Sequence, residues 1–268
     1  MRRKIVAGNW KMNGTQTQLK QLQALAKQHP TPLVDIVLCP PNTLIAQAAT
    51  QTSTAPIAIG AQDCHTATSG AHTGDVSAQM LADAGATYVL VGHSERRSDH
   101  TETDAAVCAK AQAAIAQGLI AIICVGETLQ QRQDGTTLAV ITAQLAASVP
   151  DTATGHTVVI AYEPVWAIGT GLVATTAQIG EVHGLMRNVL MARFGNDGGQ
   201  SFRLLYGGSV KAGNADEIFA VTDVDGALVG GASLSCDDFS PIIAALENSA
   251  SQITTTNRDP KPEHETGW

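Results

Sequence analysis

Apolar residues gather in short runs that return at intervals along the chain. The runs cover 4–10, 34–40, 57–62, 87–93, 119–125, 157–163, 203–208 and 226–231. Most are near-continuous Val, Ile, Leu and Ala, without polar alternation. That is the pattern of parallel strands covered on both faces. Between them lie stretches of helical period, among them 15–28, 77–84, 103–117, 137–148 and 175–194. Thr175 with Gln178, and Asn214 with Glu217, have the capping-box form that opens a helix. Strand and helix in alternation build right-handed βαβ units. Eight such units in about 250 residues predict an α/β chain closed into a (β/α)8 barrel, with eight parallel strands inside a ring of helices. The barrel is expected as a single domain over residues 1–248. The stretch 249–268 is polar, aperiodic and holds two prolines. It reads as a mobile C-terminal extension outside the barrel.

Composition narrows the function classes. Of 268 residues, 44% are hydrophobic and 15% charged, enough for a large core and too apolar for a disordered chain. Twenty-four acids against sixteen bases give a net charge of −8. That argues against nucleic acid as a partner, whose usual footprint is a basic face. A small anionic substrate stays compatible, because one local cation and a few backbone N–H groups suffice to hold a phosphate. No apolar run approaches the roughly 18 residues of a membrane span. Met1-Arg2-Arg3-Lys4 imitates the start of a signal peptide, but the apolar run after it ends at Ala7, so none is expected. Five cysteines without a CxxC pair point to a reduced, cytoplasmic protein. Cys64, His65 and His72 lack metal-ligand spacing, and no metal is expected there.

In a barrel of this kind chemistry gathers where strands end, on the C-terminal face. Strand one ends in Asn9-Trp10-Lys11, strand four in Gly92-His93-Ser94-Glu95, and strand six in Glu163-Pro164. The last two end in Gly207-Gly208-Ser209 and Gly230-Gly231. Pro164 disfavours helical backbone at Glu163, so that carboxylate is held at an extended strand tip. There it is either a general base in a dry site or a rim ion pair. His93 stands where Ser94 can start a helix, whose N-terminus disfavours imidazolium; the alternatives are a neutral donor to a carbonyl and a structural histidine. Lys11 supplies a cation, or is plain surface; Asn9 supplies a neutral donor to an oxyanion. Trp10 reads as packing. Glu95 orients Lys11 or Ser94, or pairs with Arg96 or Arg97. The two glycine pairs let backbone N–H groups approach an anion, and loops seven and eight are a frequent barrel phosphate site. The long stretch 164–174 after strand six reads as a lid, with Pro164, Val165, Trp166, Ile168, Gly169, Thr170, Gly171 and Leu172. Its GxGxxA match lacks both the preceding strand and the following acid of a dinucleotide site.

Read from these residues alone, a proton-transfer enzyme, another phosphate-binding barrel enzyme and a binding protein built on this barrel all remain open. Six segments carry a resemblance that decides between them. They are 6–14 (VAGNWKMNG), 92–97 (GHSERR), 124–127 (CVGE), 161–171 (AYEPVWAIGTG), 206–210 (YGGSV) and 226–234 (GALVGGASL). In that order, the chain resembles the triosephosphate isomerase family over residues 4 to about 247. The resemblance implies a TIM barrel that interconverts dihydroxyacetone phosphate and D-glyceraldehyde 3-phosphate without a cofactor. It implies Glu163 as the base, and His93 as the group that polarises the carbonyl and shuttles a proton at oxygen. Lys11 and Asn9 would stabilise the enediolate, with Glu95 beside them. Gly169, Ser209, Gly230 and Gly231 would bind phosphate through N–H groups. Ile168 and Leu228 would pack over Glu163 and raise its basicity. It also implies a homodimer in which the loop 64–75 enters the partner's site, with His72, Thr73 and Gly74 at its tip. His72 departs from the family's usual Phe or Tyr, so acid should loosen the dimer. Leu172 stands where a lysine is common at the lid hinge. Cys124 is expected buried and Cys236 more exposed.

Overall fold

The computed structural model describes residues 2–256. Eight strands form within the apolar runs: Ile5–Asn9 (β1), Asp35–Cys39 (β2), Ile57–Ala61 (β3), Tyr88–Val91 (β4), Ile120–Val125 (β5), Val158–Tyr162 (β6), Arg203–Tyr206 (β7) and Gly226–Val229 (β8). Each pairs in parallel with the next, and β8 returns to β1 to close the barrel. Ile5 is in register with Asp35 on one side and Gly226 on the other. At that closure a Cβ on Gly226 would lie 1.7 Å from the Ile5 carbonyl oxygen, so only glycine fits the seam.

Among the described residues, ten α-helices surround the strands: Lys20–Gln28 (α1), Ile45–Thr52 (α2), Ala78–Asp83 (α3), Ser94–Asp99 (α4), Asp104–Ala116 (α5), Leu129–Gln133 (α6), Thr137–Ser148 (α7), Thr176–Ser201 (α8), Ala215–Phe219 (α9) and Cys236–Thr256 (α10). The period-2 geometry of the strands splits the core in two. Ala7, Val37, Leu90, Ile122, Val159 and Leu205 point inward and fill the barrel. Val6, Ile36, Val89, Ile123, Ile160 and Leu204 point outward against the helices. Both faces are therefore apolar, which is why the strands lack polar alternation.

Several boundaries differ from the sequence expectation. The helix expected at 15–28 opens with a 3-10 turn, Gln16–Leu19. The Thr175–Gln178 capping box is present, but α8 runs on past Phe194 to Ser201 through a kink at Gly195, φ +78°. Asn214 does not close a box with Glu217. Its Oδ1 accepts the Lys211 N–H at 2.8 Å and its Nδ2 donates to the Ser209 carbonyl at 3.1 Å. The short side chain is spent ordering the loop before the helix. The last helix continues through Thr256, so a boundary at 248 falls inside α10. Ser249 belongs to the fold: its hydroxyl donates to the Phe219 carbonyl and accepts from buried Lys4. Of the tail 249–268 expected to be mobile, 249–256 are helical and 257–268 lie outside the described residues.

Candidate active site

The C-terminal ends of the strands enclose a cavity of about 300 Å³. Its walls bring together Asn9, Lys11, His93, Glu163, Ile168, Gly169, Ser209, Leu228, Gly230 and Gly231. The expected proton-transfer and phosphate groups thus meet in one place, contributed by strands far apart in sequence. A larger hollow of about 680 Å³ opens on the opposite side, by the strand starts around Ile36 and Ile57. Neither a histidine nor a glutamate lines it.

Glu163 directly follows β6 and is 2% exposed. Its Oε1 lies 2.9 Å from His93 Nε2 and its Oε2 accepts the Ser94 N–H at 3.0 Å. Burial pushes the carboxyl up, but His93, the Ser94 N–H and Lys11 together outweigh it and hold Glu163 below the usual carboxylate range. His93 caps α4, and its Nδ1 accepts the Glu95 N–H at 3.3 Å. A ring that accepts at Nδ1 carries its proton on Nε2, aimed at Glu163. Burial pulls the imidazole down; the Glu163 and Glu95 carboxylates pull it up, and their pull is the larger.

Lys11 follows β1 with φ +53°, a left-handed backbone unusual for a lysine. Asn9 Oδ1 accepts its N–H at 3.0 Å, which leaves the Asn9 NH2 as a donor for a ligand. The Lys11 ammonium pairs with Glu95 at 2.5 Å. This settles the partner of Glu95. Arg96 goes instead to Asp63 and Glu102, and Arg97 to Asp104. Trp10 packs at 1% exposure and donates to the Ser233 carbonyl.

The lid leaves β6 through Pro164 and a 3-10 turn, Val165–Ala167. Trp166 Nε1 donates to Glu127 Oε1 at 3.0 Å, and the Tyr162 hydroxyl shares that oxygen at 3.1 Å. Gly169, Thr170, Gly171, Leu172 and Val173 are exposed, and Ile168 is half-buried at the cavity edge. Leu228 is buried in the barrel core.

Some supporting groups lay in matching segments but had no role assigned from sequence. Glu127 is fully buried and anchors the lid's first turn. Arg97 Nε donates to the Gly92 carbonyl and its Nη2 to the Cys124 carbonyl, tying the loops that carry His93 and Glu127. Gln62 donates to the carbonyls of Lys11 and Cys39. Nothing in the sequence singles out a glutamine that acts only through backbone carbonyls. Cys124 is buried as expected, at 0% exposure; Cys236, at 4%, is buried as well, and Cys108 is the partly exposed thiol.

His72, Thr73 and Gly74 project on an exposed loop, away from this cavity. The His72 ring stacks on His65 at 4.0 Å. Together with Asp75 these bring donor atoms within 4.8 Å of one another. His65 Nδ1 accepts the Ala67 N–H at 3.0 Å, however, so the ring proton occupies Nε2, the nitrogen nearest Asp75. As the loop stands, that nitrogen has no lone pair for a metal. Among the described residues no helix is long and apolar enough to cross a membrane.

The family model for triosephosphate isomerase matches residues 4–246. The triosephosphate isomerase of Ruegeria pomeroyi is 63% identical over 93% of this chain and 100% of its own. That of Rhizobium etli is 56% identical over 91% of this chain and 96% of its own. The crystal structure of triosephosphate isomerase from Bartonella henselae superposes with a TM-score of 0.86, at 47% identity over 91% of this chain and 98% of that one. The chain belongs to the triosephosphate isomerase family.

Proposed function

We propose that this barrel's C-terminal cavity isomerises triose phosphates, with Glu163 as the base and His93 as the proton carrier at oxygen. The chain is an isomerase interconverting dihydroxyacetone phosphate and D-glyceraldehyde 3-phosphate. The two compounds have the same formula and oxidation level, so proton movements alone convert one into the other. Glu163 takes a proton from C1 of the ketose, and the electron pair left behind forms the enediolate. His93 Nε2 donates to the C2 oxygen and recovers a proton from the C1 oxygen. Glu163 returns its proton to C2. Lys11 and the Asn9 NH2 face the oxygens where negative charge develops, a placement that stabilises the transition state more than the ground state.

The observation that carries this assignment is the 2.9 Å contact between His93 and Glu163 on the wall of a cavity with glycine loops beside it. Phosphate fits at Gly169, Ser209, Gly230 and Gly231. When Ile168 is drawn over Glu163 against Leu228, water leaves, and the carboxylate loses the solvent that restrains its basicity. The same exclusion protects the enediolate phosphate from eliminating phosphate.

The assembly fits a homodimer built on the loop 64–75. Met12, in the loop after β1, is 96% exposed, an apolar side chain left for a second copy to cover. Sedimentation near pH 5.5 and pH 8 tests both the dimer and the part of His72; an identical dimer constant would remove His72 from the account. Five free cysteines suit a reducing compartment, the cytoplasm.

The test of the site is isomerase activity beside Glu163→Gln. A fall of about 10²- to 10⁴-fold in kcat is expected of a lost general base. Full activity in the variant would move the base elsewhere.

A further inference from the structure

Strand β5 divides its backbone groups between two neighbours, residue by residue. The Ile120 N–H donates to the Thr87 carbonyl on the β4 side at 2.9 Å, and the Ala121 N–H to the Thr157 carbonyl on the β6 side at 3.0 Å. On the β6 side this alternation runs past the end of the strand. The Val125 carbonyl accepts the Glu163 N–H at 2.7 Å, and the Glu127 carbonyl accepts the Val165 N–H at 3.1 Å. The residues on either side of Gly126 therefore grip the backbone that carries Glu163. On the β4 side no strand is left to pair. Val91, in register with Ile123, ends β4, and Gly92 at φ +69° turns the chain away into α4. The backbone groups of Cys124 and Gly126 face that gap and need other partners.

Two side chains take the place of the missing strand. Arg97 Nη2 donates to the Cys124 carbonyl at 3.2 Å. Gln144, half-buried on α7, meets both groups of Gly126. Its Oε1 accepts the Gly126 N–H at 2.7 Å, and its Nε2 donates to the Gly126 carbonyl at 3.0 Å. A carboxamide offers the donor and acceptor that a strand would have offered. Gly126 has no slack on its far side, where a Cβ would lie 1.8 Å from the Glu163 carbonyl oxygen. It is held between the Gln144 amide and the backbone of Glu163. Gln144, Gly126, Glu163 and Val165 also border a cavity of about 260 Å³ behind the strand tip. On that side hydrogen bonds, and not close packing, fix the position of Glu163.

We infer that Gln144 is a positioning residue for the base: its amide seats Gly126 and, through Gly126, the backbone of Glu163. This rests on the reading of Glu163 as the base and adds a residue on an outer helix on which that base depends. Gln144 does not line the active cavity, and the phosphate loops after β7 and β8 lie apart from it. Its loss should therefore be felt in kcat and scarcely in KM.

The experiment compares the full chain with Gln144→Met, which keeps the length and loses both bonds, and Gln144→Asn, which keeps the amide one methylene short. In Gln144→Met kcat is expected to fall about 10- to 100-fold, the scale of a catalytic group misplaced by about 1 Å, with KM within about twofold. Gln144→Asn should fall between this variant and the wild type. Amide hydrogen exchange gives a readout independent of turnover. The Gly126 N–H should exchange faster in Gln144→Met, while Ile122 in the middle of β5 keeps its wild-type protection and shows that the barrel is folded. If Gln144→Met does not fold, Gln144→Asn decides by the same two readings. Wild-type kcat in the folded variants would overturn the positioning role, and wild-type exchange at Gly126 would overturn the clamp beneath it. Full activity in Glu163→Gln would instead reject Glu163 as the base and leave the clamp on Gly126 standing.

Discussion

His93 Nε2 donates to Glu163 Oε1 across 2.9 Å, so before substrate arrives the proposed base and proton carrier are each other's partners. The contact sets both protonation equilibria. Glu163 is held below the ordinary carboxylate range and His93 above the ordinary histidine, burial opposing each shift. A substrate that separates the two removes the upward pull of Glu163 on the ring. The Glu95 N–H at Nδ1 remains and favours the neutral imidazole. The expected outcome is a nitrogen NMR titration in which His93 protonates above the ordinary histidine value in the free protein. It should stay neutral at the same pH when an inert phosphate-bearing analogue is bound. A ring that is equally protonated in both states would contradict the separation.

The strained backbone of Lys11 has a visible support. Gln62 Nε2 donates to the carbonyls of Lys11 and Cys39, each at 2.8 Å, while Asn9 accepts the Lys11 N–H. A left-handed non-glycine residue costs about 1–2 kcal/mol and persists only where its surroundings impose it. Gln62→Met keeps the length of the side chain and loses the donor. It should lower stability by about 1–3 kcal/mol, because the Lys11 carbonyl loses its donor while the Cys39 carbonyl keeps the Trp10 N–H. It should also lower kcat by more than the fraction unfolded explains, as Lys11 relaxes away from the cavity. Denaturant titration run beside kcat separates the two. A variant of full kcat would show that Lys11 holds its conformation unaided.

These two cases mark what sequence alone conveys. The barrel was legible because strands buried on both faces leave unbroken apolar runs, and Pro164 and the Thr175 cap mark local geometry by residue type. Asn9, Lys11, His93 and Glu163 were legible because strand ends must share one mouth. Gln62 and Glu127 were not, because their work is done through backbone carbonyls and an indole 39 residues away. The end of the last helix was missed for another reason. Ser249, Ser251 and Thr254 to Thr256 have weak helix propensity, and packing of Ser249 on Lys4 and Phe219 helps carry the helix onward. Cys236 likewise has nothing in its neighbours to announce burial.

Glycine substitutions in the site loops should separate crowding from strain. A Cβ on Gly207 would lie 2.9 Å from Glu163 Cγ and 3.1 Å from the Tyr162 carbonyl oxygen. Gly207→Ala should therefore displace the base, cutting kcat by at least about tenfold at a folding cost of about 1–3 kcal/mol. At Gly169 of the lid, φ is +69° and no atom lies within 4 Å of a new Cβ. Gly169→Ala meets only backbone strain of about 1–2 kcal/mol, felt in how the lid closes and barely in overall stability. Thermal unfolding and kcat for the pair test this; equal loss of unfolding stability in both would refute it.

His183 makes stability depend on pH in a window of its own. It is fully buried on α8, and its Nδ1 donates to the Asp223 carbonyl at 3.0 Å while Nε2 has no partner. Burial lowers its pKa to about 4. The unfolded chain takes up this proton near the ordinary histidine value of 6.5 and the folded chain only near 4, so acid favours unfolding. Stability from this group is complete above about pH 6.5 and drains away between there and pH 4. At 1.36 kcal/mol per pKa unit the loss is about 3 kcal/mol. Half-buried His29, also lowered, adds in the same direction, whereas depressed Glu163 acts only at lower pH, as its carboxylate takes up a proton. Denaturant titrations at steps from pH 7.5 to 4.5 should show the decline. In His183→Gln the curve should be flatter by most of that amount, although the variant is weaker at neutral pH for losing a packed ring. A variant whose stability falls with acid as steeply as the wild type would assign the decline to other groups.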